Sequence, residues 1–427
     1  MKNANASKSL AALRLSRTAM LCFAVLLCAS LAAAQAGSLD KSFATSGIFS
    51  YSLSTGNGAN NIANAVALQS DGKIVVAGQI GSQSGLLRLN TNGTLDTSFG
   101  SGGVVTTRIG GDIEQVFVGM AIQSDGKIVV AATGCPPQGV VARFDSNGSL
   151  DTSFGSSGTT SVSLSAHGLA LQSDGKILVT GASLGVPLMA RLLTTGQLDT
   201  SFGTSGMAAL VAGPGPIVPL SDGEILIGSG GLTASPFLNL IPGPGGVARY
   251  TTSGSLDTSF GIGGQAGSVV APSAIAVQSN GKIVVVGTNP NQLSVTGNSS
   301  GFGVMRLNPN GSVDTTFGTR GGTTTGFANM PLTGAFAVVI QSNGEVVSAG
   351  EAGGTVTNTL VESFALARYL GTGALDTTFG TGGQVTTSFG SSAAAFITSM
   401  ALQSDGNIVV AGSNGDGTIE VARYLAQ

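Results

Sequence analysis

Six arginines each stand a fixed eight residues before an aspartate: Arg88 before Asp96, Arg143 before Asp151, Arg191 before Asp199, Arg249 before Asp257, Arg306 before Asp314 and Arg368 before Asp376. A guanidinium can hold a carboxylate bidentately, and an aspartate in a tight connection also accepts backbone N–H groups. One offset kept six times predicts a structural staple; the alternative, seven equivalent ligand sites, would need these side chains in solvent. Arg423 has no aspartate after it and Asp40 no such arginine before it, so the seventh pair is expected between the two ends of the chain. Twelve of the fifteen aspartates lie in the staples or in Asp-Gly turns, which leaves few for catalysis. His167 is the only histidine, too little for a Ser-His-Asp arrangement or a zinc site. No Asp-x-Asp-x-Asp-Gly run offers calcium its cluster of charged oxygens, and Asn90 to Gly93, Asp145 to Gly148 and Asn308 to Gly311 read as turns. No catalytic residue, metal or cofactor is therefore assigned.

The elements that carry these residues repeat with them. The phrase Leu-Asp-x-Ser/Thr-Phe-Gly returns around Asp40, Asp96, Asp151, Asp199, Asp257, Asp314 and Asp376, at steps of 56, 55, 48, 58, 57 and 62 residues. That period belongs to solenoids, arrays and propeller blades. In the first unit Ala63 to Gln69 and Lys73 to Gln79 are apolar runs split by Ser70-Asp71-Gly72, the signature of a tight hairpin. Gly85 to Asn90 reads as a third strand and Gly103 to Arg108 as a fourth, rich in Val and Thr. The Asp-Gly or Asn-Gly hairpin recurs at Asp125, Asp174, Asp222, Asn280, Asn343 and Asp405, so seven hairpins match seven phrases. The expected fold is all-β, a seven-bladed propeller with four antiparallel strands per blade. The hairpin's first strand is expected innermost and buried on both faces, with Val66, Met120, Leu169, Ile217, Ile275, Val338 and Met400 on one side and mainly alanines on the other.

The last unit, Thr398 to Leu425, has only three strands, whereas Gly47 to Leu53 near the start is a fourth without a blade. That strand is expected beside Gly417 to Tyr424, with Asp40 serving Arg423, so that no edge stays open. Residues 1–36 read as a secretory signal, with Lys2, Lys8, Arg14 and Arg17 at the front, an apolar run from Met20 to Leu31 and small residues from Ala32 to Ala36. The run is shorter than the roughly 20 residues a membrane span needs. The propeller is assigned to 37–427. Without the leader 14 basic side chains face 21 acidic ones, a net charge of −7, which argues against nucleic acid and anionic membrane as partners. Cys135, in a Thr-Gly-Cys-Pro-Pro loop, is then the only cysteine, so no internal disulfide forms.

Three phrases in order, Gln69 to Gly78, Arg88 to Gly93 and Leu95 to Gly100, recur along residues 38–427, with the fourth unit departing at Leu220 and Glu224. The sequence thereby resembles the delta-60 repeat family of secreted, mostly bacterial proteins, and more distantly the propellers that carry NHL repeats. The resemblance implies an extracytoplasmic propeller-like protein without an assigned reaction. Five residues before each hairpin glutamine, a ring at the channel mouth reads Asn64, Val118, His167, Gly215, Ser273, Phe336 and Thr398, with no carboxylate for a lactonase-like hydrolase. Long connections between second and third strands, Ser229 to Gly246, Thr288 to Gly303 and Glu351 to Phe364, predict a raised rim over units four to six. Phe237, Leu238, Leu240, Ile241, Leu293, Val295, Leu360 and Val361 could give that rim an apolar patch for a macromolecular partner. The leading expectation is thus a secreted or cell-surface binding scaffold; a propeller hydrolase and a structural envelope protein are the alternatives.

Overall fold

The computed structural model describes residues 35–53, 61–109, 115–133, 138–230, 245–289, 301–356, 359–389 and 394–427. They form seven four-stranded antiparallel sheets, a seven-bladed β-propeller, with no helix among the described residues. In the first blade the strands run from the channel outward as Ile62–Leu68, Ile74–Ile80, Gln83–Leu89 and Val104–Thr107. The hairpin chemistry acts as expected: Asp71 Oδ1 accepts the Lys73 N–H, and Gly72 takes the positive φ of 81° that a side chain would resist.

The seventh blade is completed from the other end of the chain. Ile48–Tyr51 pairs antiparallel with Thr418–Tyr424 in a register running from Ile48 opposite Ala422 to Tyr51 opposite Ile419. The fold also takes in Gln35 and Ala36, two residues before the boundary drawn from the small-residue run, because Ala36 is 8% exposed and packs among Phe379, Tyr424 and Val410.

Neighbouring sheets bury each other, as Val75, Ala77 and Leu86 of blade one do against Phe117, Ile128 and Val130 of blade two. The innermost strand departs from expectation. Val66 is buried, but Met120, Leu169 and Met400 are only half-buried, while second-strand residues such as Ile74, Val75 and Val76 are sealed. The reason is position: the inner strand has a neighbouring sheet on each face but also borders the channel, whereas the second strand is enclosed on every side. Blade four is the irregular one, with an inner strand of only Ile217–Pro219, preceded by Pro216 and ending in Pro219. Proline donates no ladder hydrogen bond.

Candidate functional site

The two faces of the ring carry different chemistry. On one lie the Asp-Gly hairpins, the third-to-outer turns and the staples. Arg88 Nε donates to Asp96 Oδ2 at 2.8 Å, while Asp96 Oδ1 accepts the Ser98 N–H at 3.1 Å and its hydroxyl at 2.6 Å. The carboxylate is therefore divided between partners, Oδ2 taking the arginine and Oδ1 taking Ser98. The same Nε-to-Oδ2 bond joins Arg143 to Asp151, Arg191 to Asp199, Arg249 to Asp257, Arg306 to Asp314, Arg368 to Asp376 and, across the ends of the chain, Arg423 to Asp40 at 2.8 Å. Burial pushes Asp96 up, but hydrogen bonds from Ser98 and Lys73 and the charge of Arg88 hold its carboxyl well below the usual range.

Two partners escaped the sequence reading. In four of the seven units a lysine follows the hairpin glycine and reaches the same carboxylate: Lys73 to Asp96 at 3.0 Å, Lys127 to Asp151 at 2.6 Å, Lys176 to Asp199 at 3.1 Å and Lys282 to Asp314 at 2.8 Å. Each guanidinium also lies over the motif phenylalanine, as Arg88 over Phe99 at 4.6 Å and Arg423 over Phe43 at 4.7 Å. The phenylalanine is a fixed position of the repeat, whereas the lysine position is Glu224, Glu345 and Asn407 in three units. The free end of the arginine ties blades together: Nη1 of Arg143, Arg191, Arg368 and Arg423 donates to the backbone carbonyls of Thr194, Thr252, Ala426 and Thr91 on the following blade. With Arg88 and Asp96 each 5% exposed, the pair is sealed between neighbouring blades.

The opposite face holds the channel mouth. Asn64, Val118, His167, Ser273, Phe336 and Thr398 each sit where the pairing of the inner strand shifts register, so six ring positions are β-bulges. A bulge turns a side chain out of the pleat and is a common device beside functional sites. Gly215 precedes the short inner strand of blade four. Thr398 donates to the Ala63 carbonyl at 2.7 Å, and Asn64 Nδ2 to that of Phe117 at 2.9 Å, so both brace the next blade. His167 is exposed, its Nδ1 3.0 Å from the Ser165 carbonyl.

The rim differs from expectation in blade six. Glu351 to Phe364 is no loop: Val346–Val356 and Thr359–Tyr369, 11 residues each, form a hairpin paired out to Val356 opposite Thr359. Leu360 and Val361 are accordingly strand residues opposite Thr355 and Gly354, with Val361 half-buried. Phe237, Leu238, Leu240, Ile241, Leu293 and Val295 lie outside the described residues, as does Cys135. Gly353-Gly354, which reads locally as a turn, hid the continuation of the strand.

The extended hairpin places two acids on one face, Glu351 opposite Phe364 and Glu362 opposite Gly353. Burial, then the neighbouring Glu362, pushes Glu351 up to about 7, and burial raises Glu362 as well. Glu420, 3% exposed in the closing blade, is pushed up to about 7 by burial in spite of hydrogen bonds from Ser50 and Asn414 at 2.5 and 2.9 Å. No group of three or more potential metal-binding side chains occurs among the described residues.

A pH dependence follows. These carboxyls hold protons in the folded state that the unfolded chain has released, so stability is full below the ordinary value of 4.5 and falls as pH rises to about 7. Glu420 alone should cost about 2 kcal/mol by pH 8, after discounting for partial solvation. Melting curves from pH 5 to 8 should show the decline, and Glu420→Gln should flatten it; a variant with an unchanged slope would remove Glu420 from this account.

Fold and staple together define a β-propeller repeat protein. A family model described as a domain of unknown function (DUF5122) beta-propeller matches residues 69–99, 123–154, 172–202, 245–260 and 278–317, segments that end at or beside the motif phenylalanine. No curated protein sequence matches the chain. Among solved structures, a protein of unknown function from Bacteroides caccae is similar at 14% identity and a TM-score of 0.40, covering 65% of this chain and 86% of its own. Drosophila Plexin A, solved in complex with Semaphorin 1b, is 11% identical with a TM-score of 0.43, covering 91% and 87%. The calcium-binding protein regucalcin from Agrobacterium tumefaciens is 14% identical with a TM-score of 0.33, covering 55% and 70%.

Proposed function

We propose that this protein is a secreted or cell-envelope scaffold of the delta-60 kind, which binds a macromolecular partner on the face opposite the staples, over blades four to six. The observation that carries the reading is the hairpin of blade six, whose strands have 11 residues against 7 in the second and third strands of blade one. Four extra residues carry it about 13 Å further along the strand direction. In units four and five the sequence puts 14 and 11 residues between the second and third strands, where blade one has only Gly81 and Ser82. Loops raised on a rigid scaffold are where binding residues concentrate. Two of the four polar ring side chains, Asn64 and Thr398, are spent on inter-blade bonds, which favours the rim over channel chemistry.

The test replaces Phe237, Leu238 and Leu240 together by Ser. Thermal stability should stay nearly unchanged while capture of a partner from a cell-surface extract is lost. A drop of many degrees would place the three in the core and remove the main support for a binding rim.

A further inference from the structure

Seven inter-blade joints repeat one hydrogen bond. The N–H after the motif phenylalanine donates to a carbonyl in the third-to-outer turn of the following blade: Gly100 to Asn147, Gly155 to Thr195, Gly203 to Ser253, Gly261 to Asn310, Gly318 to Thr372 and, across the ends, Ala44 to Asn92, at 2.7 to 3.0 Å. At the joint from blade six to blade seven the donor is Gly380 and the acceptor is Ala36, at 2.7 Å.

Ala36-Gly37 is thus the seventh copy of the turn written Asn92-Gly93 in blade one. Gly37 has φ +82°, as Gly93 does, and a Cβ on it would lie 2.9 Å from the Gly380 nitrogen, as one on Gly93 would lie 2.7 Å from that of Ala44. In blade one Gly93 N–H donates to Asn90 O and Asn90 N–H to Thr94 O; in the closing blade Gly37 N–H donates to Leu425 O and Leu425 N–H to Ser38 O. The difference is that blade seven builds its turn from both ends of the chain. Ala426, whose carbonyl accepts from Arg368, stands where Thr91 stands toward Arg423.

A leader peptidase that wants small residues one and three positions before the cut finds them before Gln35, as Ala34 and Ala32, and again before Gly37, as Ala36 and Ala34. The sequence does not choose between these bonds. From the geometry we infer that processing is hydrolysis of the Ala34–Gln35 bond, water supplying the new carboxylate and amine, and that the exported chain begins at Gln35. Cutting at Gly37 would strip the joint of its acceptor, leave the half-buried Gly380 N–H without its protein partner and remove Ala36 from the core among Phe379 and Tyr424. Gln35 is exposed and Ala36 and Gly37 are buried, so the folded ring also shields the second bond from later trimming.

This inference rests on the proposed export, and the experiment separates the two. Intact mass and amino-terminal sequencing of the full-length chain exported from a bacterial host should give Gln35 as the first residue. Gly37 as the first residue overturns the inference while leaving export standing; a chain that retains residues 1–34 and stays in the cytoplasm overturns both. A second arm uses Ala32→Asp, which spoils only the first site. Material forced to begin at Gly37 should melt several degrees lower, and an unchanged melting temperature overturns the role given to Ala36.

Discussion

A chain lacking residues 38–53 is expected to lose the closed ring, unfolding at a much lower temperature or running as aggregate on size exclusion. Three losses coincide in that segment. Phe43, fully buried against Ala63, Leu87 and Val421, leaves a hole worth about 3–5 kcal/mol by comparison with truncation of buried aromatics. Arg423, half-buried, loses both Asp40 and the Phe43 ring beneath its guanidinium, a charge-assisted bond worth about 1.5–3 kcal/mol. The strand Thr418–Tyr424 also becomes an open edge, with Glu420 deprived of Ser50. Together these rival the whole stability of a typical domain, about 5–15 kcal/mol. A deleted chain that stayed monomeric and melted cooperatively within a few degrees of the parent would show that blade seven does not need its outer strand.

This closure was legible because it follows from counting: an arginine without its aspartate at one end, an aspartate without its arginine at the other. The blades were legible for a related reason, since Asp-Gly turns and apolar runs act locally and recur seven times. What stayed hidden depends on neighbours in space. Lys73 reaches Asp96 only because the hairpin turn and the third-to-outer turn meet on one face, and no linear spacing announces that. The half-exposure of Met120 and Leu169 comes from the channel, which the strand's own sequence does not encode. Blade six was misjudged because Gly353-Gly354 signals a turn locally, whereas pairing with Glu362 and Val361 carries the strand through it. The bulge positions were found as a ring, but not as bulges, because a register shift belongs to two strands at once.

Removing one staple carboxylate should be costly in a way that depends on the blade. Asp96→Ala leaves Arg88 and Lys73 facing each other without the charge between them, and both groups lie near Asp96 Oδ2, at 2.8 and 3.0 Å. An uncompensated buried cation costs about 3–5 kcal/mol, and the Ser98 hydrogen bonds are lost as well. Asp376→Ala removes the equivalent group in blade six, but there the lysine position is Glu345, whose Oε2 lies 3.3 Å from Arg368 Nε. That carboxylate can take over the arginine, so the loss should be smaller by about 1–2 kcal/mol, the value of a charge-assisted hydrogen bond retained. Urea denaturation of the two variants reads the difference directly. Pairing Asp96→Ala with Lys73→Ala should recover part of the loss in blade one, because one of the two stranded cations is gone. If Asp96→Ala proved no more damaging than Asp376→Ala, the lysines would be surface decoration, and the staple would consist of arginine, aspartate and phenylalanine alone.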